Sequence, residues 1–192
     1  MRLSPQKERD DIISVTTALS PYSDFSMIQP YILELAGARG TRVHRAIAAY
    51  ALGFPALGLW DEDHGYFVSF ASWLDNYVSE VLLVEKRLIS PLGFTGQIDL
   101  VCILTDARLV VVDSKTPAIE APTWKSQISA YCELAKVELM KKLSLMERPM
   151  LEGMALMLNK EGKAAKGIVY QYQADDFAAF LSALNSYRYF IL

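Results

Sequence analysis

The chain has 192 residues, is 52% hydrophobic and 21% charged, and carries a formal net charge of −3. That length and apolar content suit one domain with a full core that needs neither disulfides nor a structural metal. The acidic balance excludes coating of nucleic acid by global positive charge, and two cysteines exclude a Cys₄ zinc or iron–sulfur site within the chain.

The opening MRLSPQKERDDIISVTT has charge but no apolar run, so no secretion signal is expected. No apolar stretch reaches the roughly 18 residues of a membrane span. Cys102 and Cys132 fall inside a predicted strand and helix and read as buried free thiols, consistent with a cytoplasmic location. In SDFSMIQPYILELAGARG the Ser23 and Asp24 cap candidates are followed by Pro30, which places a helix start near the proline. ARGTRVHRAIAAYALG reads as a stronger helix bounded by Gly40 and Gly53. GFPALGLWDEDHGY is loop chemistry that includes His64, and FVSFASWLDNY a further helix.

The pattern then changes. SEVLLVEKRLI, FTGQIDLVCIL and RLVVVDSKT are rich in Val, Ile and Leu and separated by SPLG and TDA, which predicts an antiparallel meander. PTWKSQISAYCELAKVELMKKL is a long amphipathic helix opened by Pro122. LEGMALMLN and KGIVYQYQ flank the turn KEGKAA as a hairpin, and DDFAAFLSALNSYRYF closes as a helix with acidic residues in its first turn. The expected class is α/β: a central mixed sheet of a three-strand meander and a C-terminal hairpin, flanked by helices. One domain over 1–192 is expected, with a helical part at about 1–78, the meander and its helix at about 79–142, and the hairpin and last helix at about 150–192.

Charges interrupt the greasy strands. An antiparallel register centred on Leu92 opposes Glu85 to Asp99, and one centred on Asp106 opposes Asp99 to Asp113; both centres fall inside the turns. Unbulged, the three carboxylates would stand in one row, about 5 Å apart from strand to strand. Like charges in such a row call for a cation. Lys115, two residues beyond Asp113, shares its face, while Ser114 points the other way and leaves its carbonyl near the same ion. Hard oxygen ligands suit Mg²⁺ or Mn²⁺, and such an ion beside carboxylates and an ammonium suits phosphodiester hydrolysis. The bland alternative is a salt bridge at a solvated sheet end.

An Asp followed by a strand ending in D-x-K resembles the signature of the PD-(D/E)xK nuclease superfamily, in particular its RecB-like and phage-type exonuclease branch. Asp99 in GQID matches the first acid, Asp113-Ser114-Lys115 the (D/E)xK element, and Gln127-Ile128-Ser129-Ala130-Tyr131 the Q-x-x-x-Y motif. RGTRVH, ending at His44, is similar to that branch's helix-borne histidine, SVTTALS to the segment that precedes it, and Glu85 to its additional acid. Ile98 stands where the superfamily's name has proline.

The resemblance implies a restriction-endonuclease-like core and a Mg²⁺- or Mn²⁺-dependent exonuclease acting in DNA repair, recombination or phage DNA processing. Asp99, Asp113, Ser114, His44 and Glu85 would hold metal, Asp99, Asp113, Lys115 and Glu85 would act in catalysis, and Gln127 and Tyr131 would position the DNA strand. From the residues alone, His44 on a small apolar helix face is a satisfied core histidine, and Gln127 and Tyr131 are one helix edge. Trp124 reads as core. Arg39, Arg42 and Arg45 form a broad basic face next to His44 and are expected at phosphates, whereas Lys160, Lys163 and Lys166 read as solvated surface. The expected partner is double- or single-stranded DNA with a free end. An endonuclease with the same centre, a non-catalytic DNA-binding protein, a recombinase or helicase partner and a homo-oligomer all stay open.

Overall fold

The computed structural model describes residues 12–23, 26–116, 119–142, 151–171 and 174–192. Asp24 lies outside them. The elements in chain order are β1 (Ile13–Ser14), α1 (Val15–Leu19), α2 (Pro30–Ala51), α3 (His64–Tyr77), β2 (Val78–Ile89), β3 (Phe94–Leu104), β4 (Leu109–Lys115), α4 (Trp124–Lys142), β5 (Leu151–Met157), β6 (Lys166–Tyr170) and α5 (Ala174–Phe190). His64, read from sequence as a loop residue, is the first residue of α3.

The expected α/β class and mixed central sheet are present, consistent with a restriction-endonuclease-like core. The sheet order is β1-β3-β4-β5-β6, with β2 paired to β3. β2, β3 and β4 form the antiparallel meander, β4 and β5 run parallel, and β5 and β6 make the hairpin. The parallel β4–β5 step is bridged by α4, as parallel strands require. No helix among the described residues is long and apolar enough to cross a membrane.

Each sheet face buries its own core. Val15, Trp124, Ile128, Leu134, Phe180 and Leu184 from α1, α4 and α5 pack on Phe94, Ile98, Val101 and Val111. Val43 and Ile47 of α2 and Tyr66, Phe70 and Trp73 of α3 pack on Leu100, Cys102, Val110, Val112 and Leu156 from the opposite side. β4 and β5 are covered on both faces, which explains their nearly unbroken apolar runs. Both cysteines are free and buried.

The two helices expected around Gly40 are one helix of 22 residues, opened by Pro30 at its first position, where the missing N–H costs nothing. Gly37 and Gly40 lie within it and line an open cleft, and burial of Val43, Ala46 and Ile47 holds the helix through them. Tertiary packing outweighs the cost of about 1 kcal/mol for each helical glycine.

The register is the one the turns predict. Val84 pairs with Leu100 and Lys86 with Ile98, so Glu85 and Asp99 face one another between those pairs. Val101 pairs with Val111 and Leu100 with Val112. That ladder then stops, so β3 and β4 part at Asp99 and Asp113. Side-chain alternation also slips here. Phe94 and Ile98 face α4, but Leu100 and Cys102, of the same parity, face α2 and α3. β2 shifts register between Val81 and Leu83, and Glu85 takes φ +46°, a left-handed conformation uncommon for a residue with a side chain.

Candidate active site

Asp99 sits in the fork where β3 and β4 separate. Its Oδ2 accepts the Ser114 backbone N–H at 2.7 Å, replacing the ladder bond that β4 has lost. Its Oδ1 lies 3.4 Å from Nδ1 of His44, which α2 carries across the α2-facing side of the sheet. His44 Nε2 lies 3.1 Å from the Ser114 carbonyl, and its Nδ1 is also 3.9 Å from Glu85 Oε1. His44, Glu85 and Asp99 each place a donor atom within 4.8 Å of the others. They open into a cleft of about 620 Å³ whose floor includes Gly37, Gly40 and Ala48, residues too small to block it.

Both imidazole nitrogens face acceptors, an arrangement only the doubly protonated ring satisfies. Burial alone would lower the His44 pKa, and it is the largest single influence. The hydrogen bond to Asp99 and the charges of Asp99, Asp113 and Glu85 outweigh it and raise the pKa to about 9. The Glu85 pKa is raised too, by burial and by the Asp99 charge, against the hydrogen bond from Gln97 and the charge of His44. In this arrangement the imidazolium serves as the cation among the carboxylates. One imidazole and two carboxylates also form a donor set that fits a divalent ion such as Mn²⁺ or Mg²⁺.

Asp113 does not join that row. Leu109, Val111, Asp113 and Lys115 share the α4 face by alternation, so the expectation of three carboxylates side by side is corrected. The cause is the slip at Asp99, which turns β3 by one side-chain position while β4 continues in phase. Asp113 is buried, with Oδ2 2.5 Å from the Lys115 ammonium, and that oxygen makes no well-directed hydrogen bond. Burial raises its pKa most, Lys115 opposes, and Asp99 raises it further. The two carboxylates, Asp99 and Asp113, therefore meet at the open end of the sheet from opposite faces, near enough for their charges to interact.

Lys115 is held on three sides. Besides Asp113, it donates to Gln127 Oε1 at 3.1 Å and lies 5.3 Å above the Trp124 ring. Gln127 in turn donates to the Tyr131 hydroxyl at 3.1 Å. Tyr131 is only 5% exposed, so it steadies Gln127 and is not available to a DNA strand; burial pushes its pKa upward. Its ring lies against β3 because residue 96 is glycine: a Cβ there would sit 2.7 Å from Tyr131 Cε1. Trp124 is core, as expected, with one face toward the lysine.

The three arginines part company. Arg45 is exposed and lines the cleft beside His44. Arg42 is committed elsewhere: its Nε meets the fully buried Asp63 at 2.5 Å, its Nη2 meets Glu62 at 3.3 Å, and its guanidinium stacks 3.6 Å from the Trp60 ring. It pins the loop before α3 through Nε and Nη2. Arg39 stands 5.5 Å over Tyr66. Two contributors escaped the sequence reading. Gln97 donates to Glu85 and accepts from Arg87 at 3.0 Å, fixing the Glu85 carboxylate. The signal was present: Gln97 stands two residues before Asp99, and Arg87 two after Glu85, each on a shared strand face.

No protein-family model matches the chain, and no curated protein sequence does. Among solved structures, it is similar to a chain described as LHK-Exo in complex with dAMP, at 13% identity and a TM-score of 0.36, over 95% of this chain and 92% of that one. A likeness at that level says nothing of activity.

Proposed function

We propose that this chain, acting as one PD-(D/E)xK-type domain, is a divalent-cation-dependent deoxyribonuclease that removes nucleotides from DNA ends in repair, recombination or phage DNA processing. One observation carries the proposal. His44, Glu85 and Asp99 gather donor atoms at the mouth of a cleft, beside an aspartate-anchored lysine on the next strand. A structural salt bridge would need neither the imidazole between two acceptors nor an open cleft in front of it.

His44, Glu85, Asp99 and the Ser114 carbonyl would hold Mg²⁺ or Mn²⁺, with Asp113 at the edge of the site. When bound, the ion supplies Lewis acidity at the phosphate and lowers the pKa of water. The chain's own groups do the rest. Lys115, oriented by Asp113 and Gln127, offers its ammonium to the attacking water or to charge developing on the phosphate. Tyr131 keeps Gln127 in place. Arg45, at the cleft rim, contacts a phosphate without regard to sequence, which suits an exonuclease.

The test is incubation of purified protein with linear and covalently closed circular DNA, with and without Mn²⁺. Metal-dependent loss of linear DNA from its ends, with the circle untouched, is the expected result. Nicking of the circle would make the chain an endonuclease with the same centre. No cleavage of either would leave a DNA-binding protein at most.

A further inference from the structure

Lys160 and Lys166, which the sequence suggests are ordinary solvated charges, stand at a second cavity. It holds about 290 Å³ and lies between the start of α3 and the β5–β6 turn, with Tyr66, Thr116, Asn159, Lys160 and Lys166 in its wall. We propose that this pocket is a phosphate-binding site that grips the DNA strand beyond the scissile bond. The proposal rests on the nuclease function for the identity of the strand, but not for the existence of the pocket.

Three features distinguish the pocket from a floppy basic turn. First, the turn is fastened to the rest of the site. Leu158 donates its N–H to the Lys115 carbonyl at 2.8 Å, and Asn159 donates its own to the buried Ser69 hydroxyl at 3.0 Å. Gly65 lies so close that a Cβ there would come 1.8 Å from the Lys160 carbonyl oxygen, so the turn is seated directly on the first turn of α3. Asn159 Oδ1 then accepts the Glu161 N–H at 2.8 Å and closes the turn.

Second, its positive charge is in excess, and Lys160 reaches Glu161 only through space. Lys160 and Lys166 form no ion pair among the described residues, while Glu161, the carboxylate in the pocket wall, is held by Lys163 at 2.5 Å. Third, a tyrosine hydroxyl lacks a partner. Tyr66 is 7% exposed with its ring in the core beneath Arg39, yet its hydroxyl has no hydrogen-bond partner among the described residues. A phosphate oxygen would satisfy it.

Position argues for the same strand. Thr116 follows Lys115 at the end of β4, two residues beyond Ser114, whose carbonyl meets His44. Two residues of strand span roughly 7 Å, within reach of a phosphate neighbouring the scissile one. A strand whose scissile phosphate lies at His44 and Asp99 can therefore lay a neighbouring phosphate against Thr116, Tyr66 and the two lysines.

The test measures binding of a fluorescent single-stranded oligonucleotide in Ca²⁺ against salt concentration, alongside steady-state cleavage in Mn²⁺. The variants are Lys160→Gln/Lys166→Gln, Tyr66→Phe and Lys163→Gln. The double variant is expected to bind at least five-fold more weakly and to lower the slope of log affinity against log salt by about 0.7 for each phosphate it no longer neutralises. KM should rise while kcat holds. Tyr66→Phe keeps the ring and is expected to weaken binding two- to five-fold, and Lys163→Gln, which frees the Glu161 carboxylate in the pocket wall, to weaken it in the same direction. Unchanged binding and salt slope in the double variant, with cleavage intact, overturn the pocket and spare the nuclease. Binding that falls as expected in a protein that cleaves nothing keeps the pocket and overturns the nuclease. A wild-type protein that binds no oligonucleotide overturns both.

Discussion

Lys115→Met tests the buried ion pair that aims the lysine. The substitution keeps the length of the side chain and removes its charge. In the wild type the Asp113 and Lys115 side chains are 6% and 14% exposed and 2.5 Å apart. Removing one partner of such a pair strands the other charge in low dielectric, a loss of about 3–5 kcal/mol. Asp113 can limit that loss by taking up a proton, because burial already lifts its pKa and Lys115 no longer opposes. The sign follows. An acid whose folded pKa is raised destabilises the fold as pH rises from its unfolded value through the folded one, and losing Lys115 extends that window upward. Urea denaturation of the metal-free protein should therefore show a large deficit for Lys115→Met at pH 7.5 and a smaller one at pH 5. Asp113→Asn/Lys115→Met should recover most of it, with a coupling of at least about 2 kcal/mol across the double-mutant cycle. A deficit below about 1 kcal/mol that does not vary with pH would refute a tightly coupled buried pair.

Other outcomes are equally concrete. The His44 proton must leave before a metal binds, so Mn²⁺ affinity measured by calorimetry should rise about tenfold per pH unit and level off near pH 9. In metal-free protein the same proton stabilises the fold below pH 6.5 and stops doing so as pH climbs to about 9, a contribution of roughly 3 kcal/mol visible in denaturation midpoints. Arg42→Ala should lower the denaturation midpoint by stranding Asp63, whereas Arg45→Ala should leave it unchanged and weaken DNA binding. Gly96→Ala forces a methyl against Tyr131 and Leu134 and should cost about 1–3 kcal/mol in the same assay. Cys102 and Cys132, both pushed up to about 12 by burial, should resist iodoacetamide at pH 8 until the protein is unfolded.

The meander was legible because its turns are chemically marked: Gly93 takes φ +78°, symmetrical pairing about Leu92 brings Glu85 opposite Asp99, and pairing about Asp106 sets Leu100 against Val112. The face taken by Asp113 was not. That depends on a slip of alternation at Asp99 and on a left-handed Glu85, neither of which has a composition signal. Two apolar cores pull Ile98 and Leu100 to opposite sides, and the backbone yields between them. The partners of Arg42 were not legible for a related reason. Helical spacing set it beside Arg39 and Arg45, but the acidic run at Asp61–Asp63 reaches it from 21 residues away. A long-range charge pair overrides a local stripe. Gln127 and Lys115 were foreseeable together, since the helix that follows β4 must fold back across it.

The most direct measurement is anomalous diffraction from crystals soaked in Mn²⁺. An ion bounded by His44, Glu85, Asp99 and the Ser114 carbonyl, lost in Asp99→Asn crystals, is the predicted result. Crystals that take up no Mn²⁺ there, with His44 still bridging Asp99 and Ser114, would contradict a metal-dependent nuclease.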